Sequence, residues 1–187
     1  MSDPLMKAIL AMDSYNRGYD PGIKFGNLAN GDSIDARGTK IGNAIIYDSR
    51  GDTAAKNVSF YAVAYNYGGE TVISYRGTDN PGGLNGDVIN GWVIGGGQTV
   101  LNQADLAFKF YQSVANSAYF ANGDWDAPQV TISLTGHSLG GGLAGLVGAT
   151  YGKSGVLFDN MPAELAATNV MLVNAFKTLV FSTDLPE

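Results

Sequence analysis

The run Gly136-His137-Ser138-Leu139-Gly140 sets a serine hydroxyl between two glycines at the spacing of a sharp strand-to-helix turn. Val130, Ile132 and Leu134 alternate before it, which predicts a short strand over Gln129 to Leu134. The small and apolar run from about Ser138 to Tyr151 predicts a helix after it. In that setting Ser138 reads as a nucleophile, and the chemistry is attack on a carbonyl carbon. Residues two positions either side of such a serine must be small for strand and helix to approach. Gly136 and Gly140 fill those positions, and Gly141, Gly142, Ala144 and Gly145 extend the close packing. The Leu139 N–H, at the helix N-terminus, would favour the negative oxygen of a tetrahedral intermediate. The competing reading is a glycine-rich junction whose serine only caps the helix.

A second segment, Thr71-Val72-Ile73-Ser74-Tyr75-Arg76-Gly77-Thr78-Asp79, reads as a strand ending in a polar turn. Beside the serine, that turn would donate a second hydrogen bond to the same oxygen. Taken alone it favours a plainer reading, a strand end whose Arg76 pairs with an acid. The chain has one histidine, His137, immediately before Ser138. Neighbouring residues of a sharp turn point in different directions, so His137 is expected to pack beside the sheet rather than take the Ser138 proton.

The elements that would hold these residues follow from pattern. Asp3 and Pro4 read as a helix start, with Leu5, Met6, Ile9, Leu10 and Met12 following at near-helical spacing. Tyr15 to Gly42 is rich in Gly, Asn, Asp and Pro and reads mostly as loop. Strands are expected at Ala44 to Tyr47, Val58 to Tyr67 and Thr71 to Tyr75, with a tight hairpin turn at Gly68-Gly69. Gln103 to Tyr119 reads as a helix presenting Ala107, Phe110, Tyr111, Val114 and Ala118 on one side. A last strand is expected at Val170 to Val173. Asp79 to Thr99 is a long loop that also holds Leu84, Val88, Ile89, Trp92, Val93 and Ile94. It reads equally as a cover over something apolar and as a short helix packed on the core. Strands followed by alternating strand and helix imply an α/β sheet with crossovers.

Composition narrows the function classes. The 187 residues favour one domain, residues 1–187. Only 15% are charged and the net charge is −6, without a basic run, so nucleic acid is not an expected partner. The absence of cysteine removes disulfides, thiolate metal sites and a cysteine nucleophile. Asp79, Asp87 and nearby Asn residues lack calcium-loop spacing and read as solvated loop groups; neither metal nor cofactor is expected. The Gly-rich turn is no phosphate loop, because the Gly-Lys-Ser/Thr ending is missing. No basic n-region precedes an apolar run, and no stretch approaches the roughly 20 apolar residues that span a bilayer. The expected location is therefore the cytoplasm, or outside by a non-Sec route.

Val72 to Asp79 together with Thr135-Gly136-His137-Ser138-Leu139-Gly140-Gly141 resembles the class 3 (fungal-type) lipase family of α/β-hydrolases. The resemblance runs from roughly Ile41 to Ala175, and the two motifs, about 60 residues apart, carry it. It implies an α/β-hydrolase-like, mostly parallel sheet flanked by helices. It also implies ester hydrolysis on acylglycerols or short acyl esters, with backbone donors to the oxyanion at Thr78 and Leu139. The loop from Asp79 to about Thr99 would be a lid over an acyl pocket, with Trp92 a lid aromatic.

The chain departs from that family in its acid and base. In α/β-hydrolases these follow the serine in the order acid, then histidine. No histidine follows Ser138, and only 49 residues do. The acids available there are Asp159, Glu164, Asp184 and Glu187, with Asp184-Leu185-Pro186 arriving early for the family's acid turn. The expectation is a chain cut short relative to a full-length lipase, with weak or absent esterase activity by itself. Loss of a triad member costs roughly 10⁴ to 10⁶ in rate. Two other readings stand beside the enzyme. One is a catalytically silent acyl-binding module. The other is an assembly protein whose open sheet edge favours homo-oligomers. The expected partners are an ester or lipid substrate, a lipid interface touched transiently, and a second copy of the chain.

Overall fold

The computed structural model describes residues 3–18, 37–77, 98–121 and 131–160. Thr78, the expected lid with Trp92, the expected strand at Val170 to Val173, and Glu164, Asp184 and Glu187 lie outside the described residues.

Among the described residues six strands form one mixed sheet in sequence order: β1 (Lys40–Ile41), β2 (Ala44–Arg50), β3 (Ala62–Tyr67), β4 (Glu70–Tyr75), β5 (Ile132–His137) and β6 (Gly155–Phe158). β1 to β4 pair antiparallel. β4, β5 and β6 pair parallel. The described sheet is thus α/β and flanked by helices as expected, but it is mixed rather than mostly parallel. Short connections are the cause. Only Gly68 and Gly69 lie between Tyr67 and its partner Glu70, both at positive φ (58° and 82°), and a two-residue turn can only reverse the chain.

Four helices complete the described fold: α1 (Pro4–Asp13), α2 (Thr53–Asn57), α3 (Gln98–Ala121) and α4 (Leu139–Tyr151). The α1 start is as expected, with the Asp3 carboxylate accepting from the N–H of Leu5 at 3.0 Å and of Met6 at 3.3 Å. The strand expected from Val58 begins only at Ala62, because α2, capped by Asp52, and a turn at Val58-Ser59 occupy the preceding residues. The α3 helix extends the expected one at both ends, and Ala107, Phe110, Tyr111 and Val114 are buried on its inner side.

Strand alternation sorts the core into two. Ala62, Ala64, Ile73, Tyr75, Ile132 and Leu134 join α3 and α4 in the larger apolar cluster. Val63, Tyr65 and Val72 face the other way and join Met6 and Leu10 of α1. The sheet is therefore sandwiched, with the serine helix on one face and α1 on the other.

Candidate active site

β5 runs to His137, three residues beyond the strand the alternation alone suggested, and α4 begins at Leu139. Ser138 makes the whole turn between them, at φ 56° and ψ −125°. A non-glycine residue there costs on the order of 1–3 kcal/mol and persists only where its surroundings impose it. They do so by backbone contacts. The Ser138 N–H donates to the Phe158 carbonyl of β6 at 3.0 Å, and the Ser138 carbonyl accepts from the Gly142 N–H at 3.1 Å. A Cβ on Gly140 would run into the Tyr75 carbonyl at the end of β4, and one on Gly136 into the Gly140 carbonyl. The helix can sit this close to two strands only because those positions carry no side chain.

The Ser138 side chain makes no capping hydrogen bond to α4. The cap reading would need that bond, so the strain at this residue is not repaid by helix capping. Leu139 follows as the first helical residue. Its side chain is buried, and its N–H has no acceptor within the helix. The arrangement leaves a hydroxyl and a helix N-terminus at one junction, the combination suited to a carbonyl substrate.

His137 turns elsewhere. Its Nδ1 lies 3.0 Å from the Tyr15 hydroxyl, and its Nε2 lies 4.0 Å from Asp159 Oδ2. The His137 side chain is 35% exposed and that of Asp159 93%, so the contact is solvated and weak. Among the described residues no hydrogen bond joins the His137 ring to Ser138. Asp159, an acid the sequence offered, faces this histidine.

Arg76, at the end of β4, is buried; it donates from Nη1 to the Arg17 carbonyl at 3.1 Å and lies 5.1 Å from the centroid of the Tyr61 ring. The Arg76-Gly77 turn thus packs against the segment after α1. Sequence pattern missed Tyr15 and Arg17 at this site, because nothing in a Gly- and Asn-rich stretch marks which residue returns to a distant strand. Among the described residues no cluster of three or more acidic or histidine side chains could hold a metal ion, and no helix is long and apolar enough to cross a membrane.

These features define an α/β protein whose strained serine lies between a parallel strand and a helix. Sequence comparison then gives the relatives. Over 69 residues the chain is 39% identical to a protein of Cryptococcus neoformans named "Putative lipase ATG15". Proteins of the same name match from Debaryomyces hansenii, 42% identical over 60 residues, and Vanderwaltozyma polyspora, 62% over 40. These stretches cover 37%, 32% and 21% of this chain. They span only 13%, 10% and 7% of the relatives. In those stretches the chain is lipase-like. No family model and no solved structure matches it.

Proposed function

We propose that the chain, read as one domain, carries the nucleophile of an α/β-hydrolase site of class 3 lipase type, acting on acylglycerols or short acyl esters. Ser138 Oγ attacks the ester carbonyl carbon while its proton passes to a base. The N–H groups of Thr78 and Leu139 hold the oxyanion. The carbonyl–alkoxy bond then breaks, the alcohol leaves with a proton, and water releases the acid from Ser138. The observation that carries the reading is the backbone of Ser138: strained, clamped by Phe158 and Gly142, and leaving its hydroxyl uncommitted to the helix. The similarity to proteins named as lipases supports the same reaction class. His137 is not the base in this reading, since its ring is engaged by Tyr15 and faces Asp159. Weak turnover by the chain alone follows from the weak nucleophilicity of a hydroxyl without one.

A fluorophosphonate probe tests this. Slow covalent labelling, abolished by Ser138→Ala, is expected, with faint p-nitrophenyl butyrate turnover. Fatty-acid binding without labelling would replace the enzyme by an acyl-binding module.

A further inference from the structure

Three groups from distant parts of the chain converge behind the serine turn. The Tyr15 hydroxyl lies 3.0 Å from His137 Nδ1 and 3.3 Å from the His137 carbonyl. A Cβ on Gly77 would run into that hydroxyl and would stand 2.8 Å from the same carbonyl. Gly77 follows β4 and precedes Thr78; His137 ends β5 and precedes Ser138. One phenol therefore touches both strand ends from which the proposed oxyanion donors continue.

The phenol is itself held on either side. Tyr15 lies in a single 3₁₀ turn, Ser14–Asn16, directly after α1. Before it, the Asp13 carboxylate accepts from Tyr65 of β3 at 2.7 Å and from Arg17 at 2.8 and 2.9 Å. After it, the Arg17 carbonyl accepts from Arg76 at the end of β4. Ser14 Oγ closes on the Ala11 carbonyl at 2.7 Å. The segment is thus tied to β3, β4 and its own helix, and the ring has a fixed place against β5. The contact also tolerates either tautomer of the histidine. With the ring proton on Nε2, Nδ1 accepts the phenol proton; with it on Nδ1, the ring donates and the phenol proton turns to the His137 carbonyl.

We propose that Tyr15 is a positioning residue for the Ser138 site, acting through His137 and Gly77 to fix the spacing of the turns after β4 and β5. This rests on the proposed function above, in which Thr78 and Leu139 supply the two oxyanion donors. Substrate does not touch Tyr15; its effect is on how well two backbone N–H groups converge on one oxygen.

Tyr15→Phe in the full chain removes the hydroxyl and keeps the ring. The chain has one histidine, so the ¹⁵N resonances of its imidazole report Nδ1 directly. The expected result is a shift of Nδ1 to that of an unbonded ring nitrogen. The maximal rate of fluorophosphonate labelling at Ser138 should fall about tenfold, with half-saturating probe concentration unchanged. His137→Gln combined with Tyr15→Phe should cost little more than Tyr15→Phe alone, because the His137 ring acts through the phenol, while losing the phenol also removes its contacts with the His137 carbonyl and Gly77. Independent, additive losses would overturn the proposal, as would an unchanged Nδ1 resonance or a labelling rate within twofold of the parent. An unlabelled parent chain would overturn the function itself, and with it the role of the tether.

Discussion

On the α3–α4 face of the sheet, Ala62, Ala64, Ile73, Ile132 and Leu134 meet helices through small and apolar side chains. On the α1 face the β5 row offers Ser133 and Thr135 instead, and the helix answers with Lys7, which is 1% exposed. Lys7 Nζ donates to Ser133 Oγ at 2.7 Å and lies 3.3 Å from Glu70 Oε1, while the single hydroxyl proton of Thr135 is shared between the Val156 carbonyl at 2.8 Å and the Lys7 carbonyl at 3.2 Å. One face is held by close approach and apolar area; on the other, directional bonds set the register beside the apolar cluster of Met6, Leu10, Val63, Tyr65 and Val72. The difference bears on the serine. The α3–α4 face brings α4 close enough to force the turn at Ser138. The directional bonds of the other face fix α1, and with it Tyr15, at a set position along β5.

Close approach should be the most fragile feature. Gly140→Ala places a Cβ against the Tyr75 carbonyl, a backbone atom that moves only with the whole strand. A loss of about 3 kcal/mol or more is expected in urea unfolding, with aggregation of the variant. A wild-type midpoint would mean that α4 is not seated through Gly140.

Next come paired changes that set one face against the other. Leu134→Ala opens a hole among α3, α4 and the sheet, expected to cost about 3 kcal/mol. Lys7→Met keeps the aliphatic stem and removes the charge, leaving Glu70 and Ser133 without it, at a cost of about 2 kcal/mol. Adding Glu70→Gln should recover part of the Lys7→Met loss and none of the Leu134→Ala loss. Equal recovery in both backgrounds would erase the distinction between the faces.

How much of this was legible in the sequence differs along the same lines. The serine turn could be read because glycines two positions either side have one stringent geometric use, and the structure does put a strand before it and a helix after it. The Asp3-Pro4 start could be read because capping is local. The facing of α1 could not: Leu5, Ile9 and Met12 are 71%, 45% and 53% exposed, while Lys7 is buried. Hydrophobic spacing assumes that apolar residues choose the inner side, and here a polar row on β5 chose a lysine. The β6 strand was missed although Val156, Leu157 and Phe158 are an apolar run; three residues are too few for a period. The tie from Tyr15 to His137 joins residues 122 apart, and no local pattern contains it.

The strain at Ser138 gives a smaller effect of opposite sign. Glycine takes φ 56° freely, so Ser138→Gly is expected to stabilise the fold by about 1 kcal/mol after its own entropic cost. Ser138→Ala keeps the strained backbone and should melt within a degree or two of the parent. Both variants lose probe labelling. A Ser138→Gly protein no more stable than Ser138→Ala would show that the turn stores no strain, and would weaken the reason for reading it as functional.

The smallest difference between the faces should appear only in alkali. Tyr75, on the apolar face, donates to the Ala107 carbonyl at 3.0 Å, and burial holds its phenol pKa well above the ordinary value. Tyr65, on the α1 face, is raised by burial first and then by the Asp13 carboxylate that accepts its proton. For both, the folded-state pKa exceeds the unfolded one. As the pH climbs past about 10 the unfolded chain therefore gives up protons that the native chain keeps. The stability these phenols contribute is full below that value and is lost as the pH rises on through the folded-state values. Tyr75→Phe and Tyr65→Phe should each begin about 1 kcal/mol less stable at neutral pH and then lose less above it. Of these two phenols, Asp13→Asn should ease the alkaline loss through Tyr65 only, since that carboxylate is among the causes of the Tyr65 shift and not of the Tyr75 shift. Urea unfolding across the alkaline range checks this, and parallel curves for Asp13→Asn and the parent would remove the Asp13 contribution.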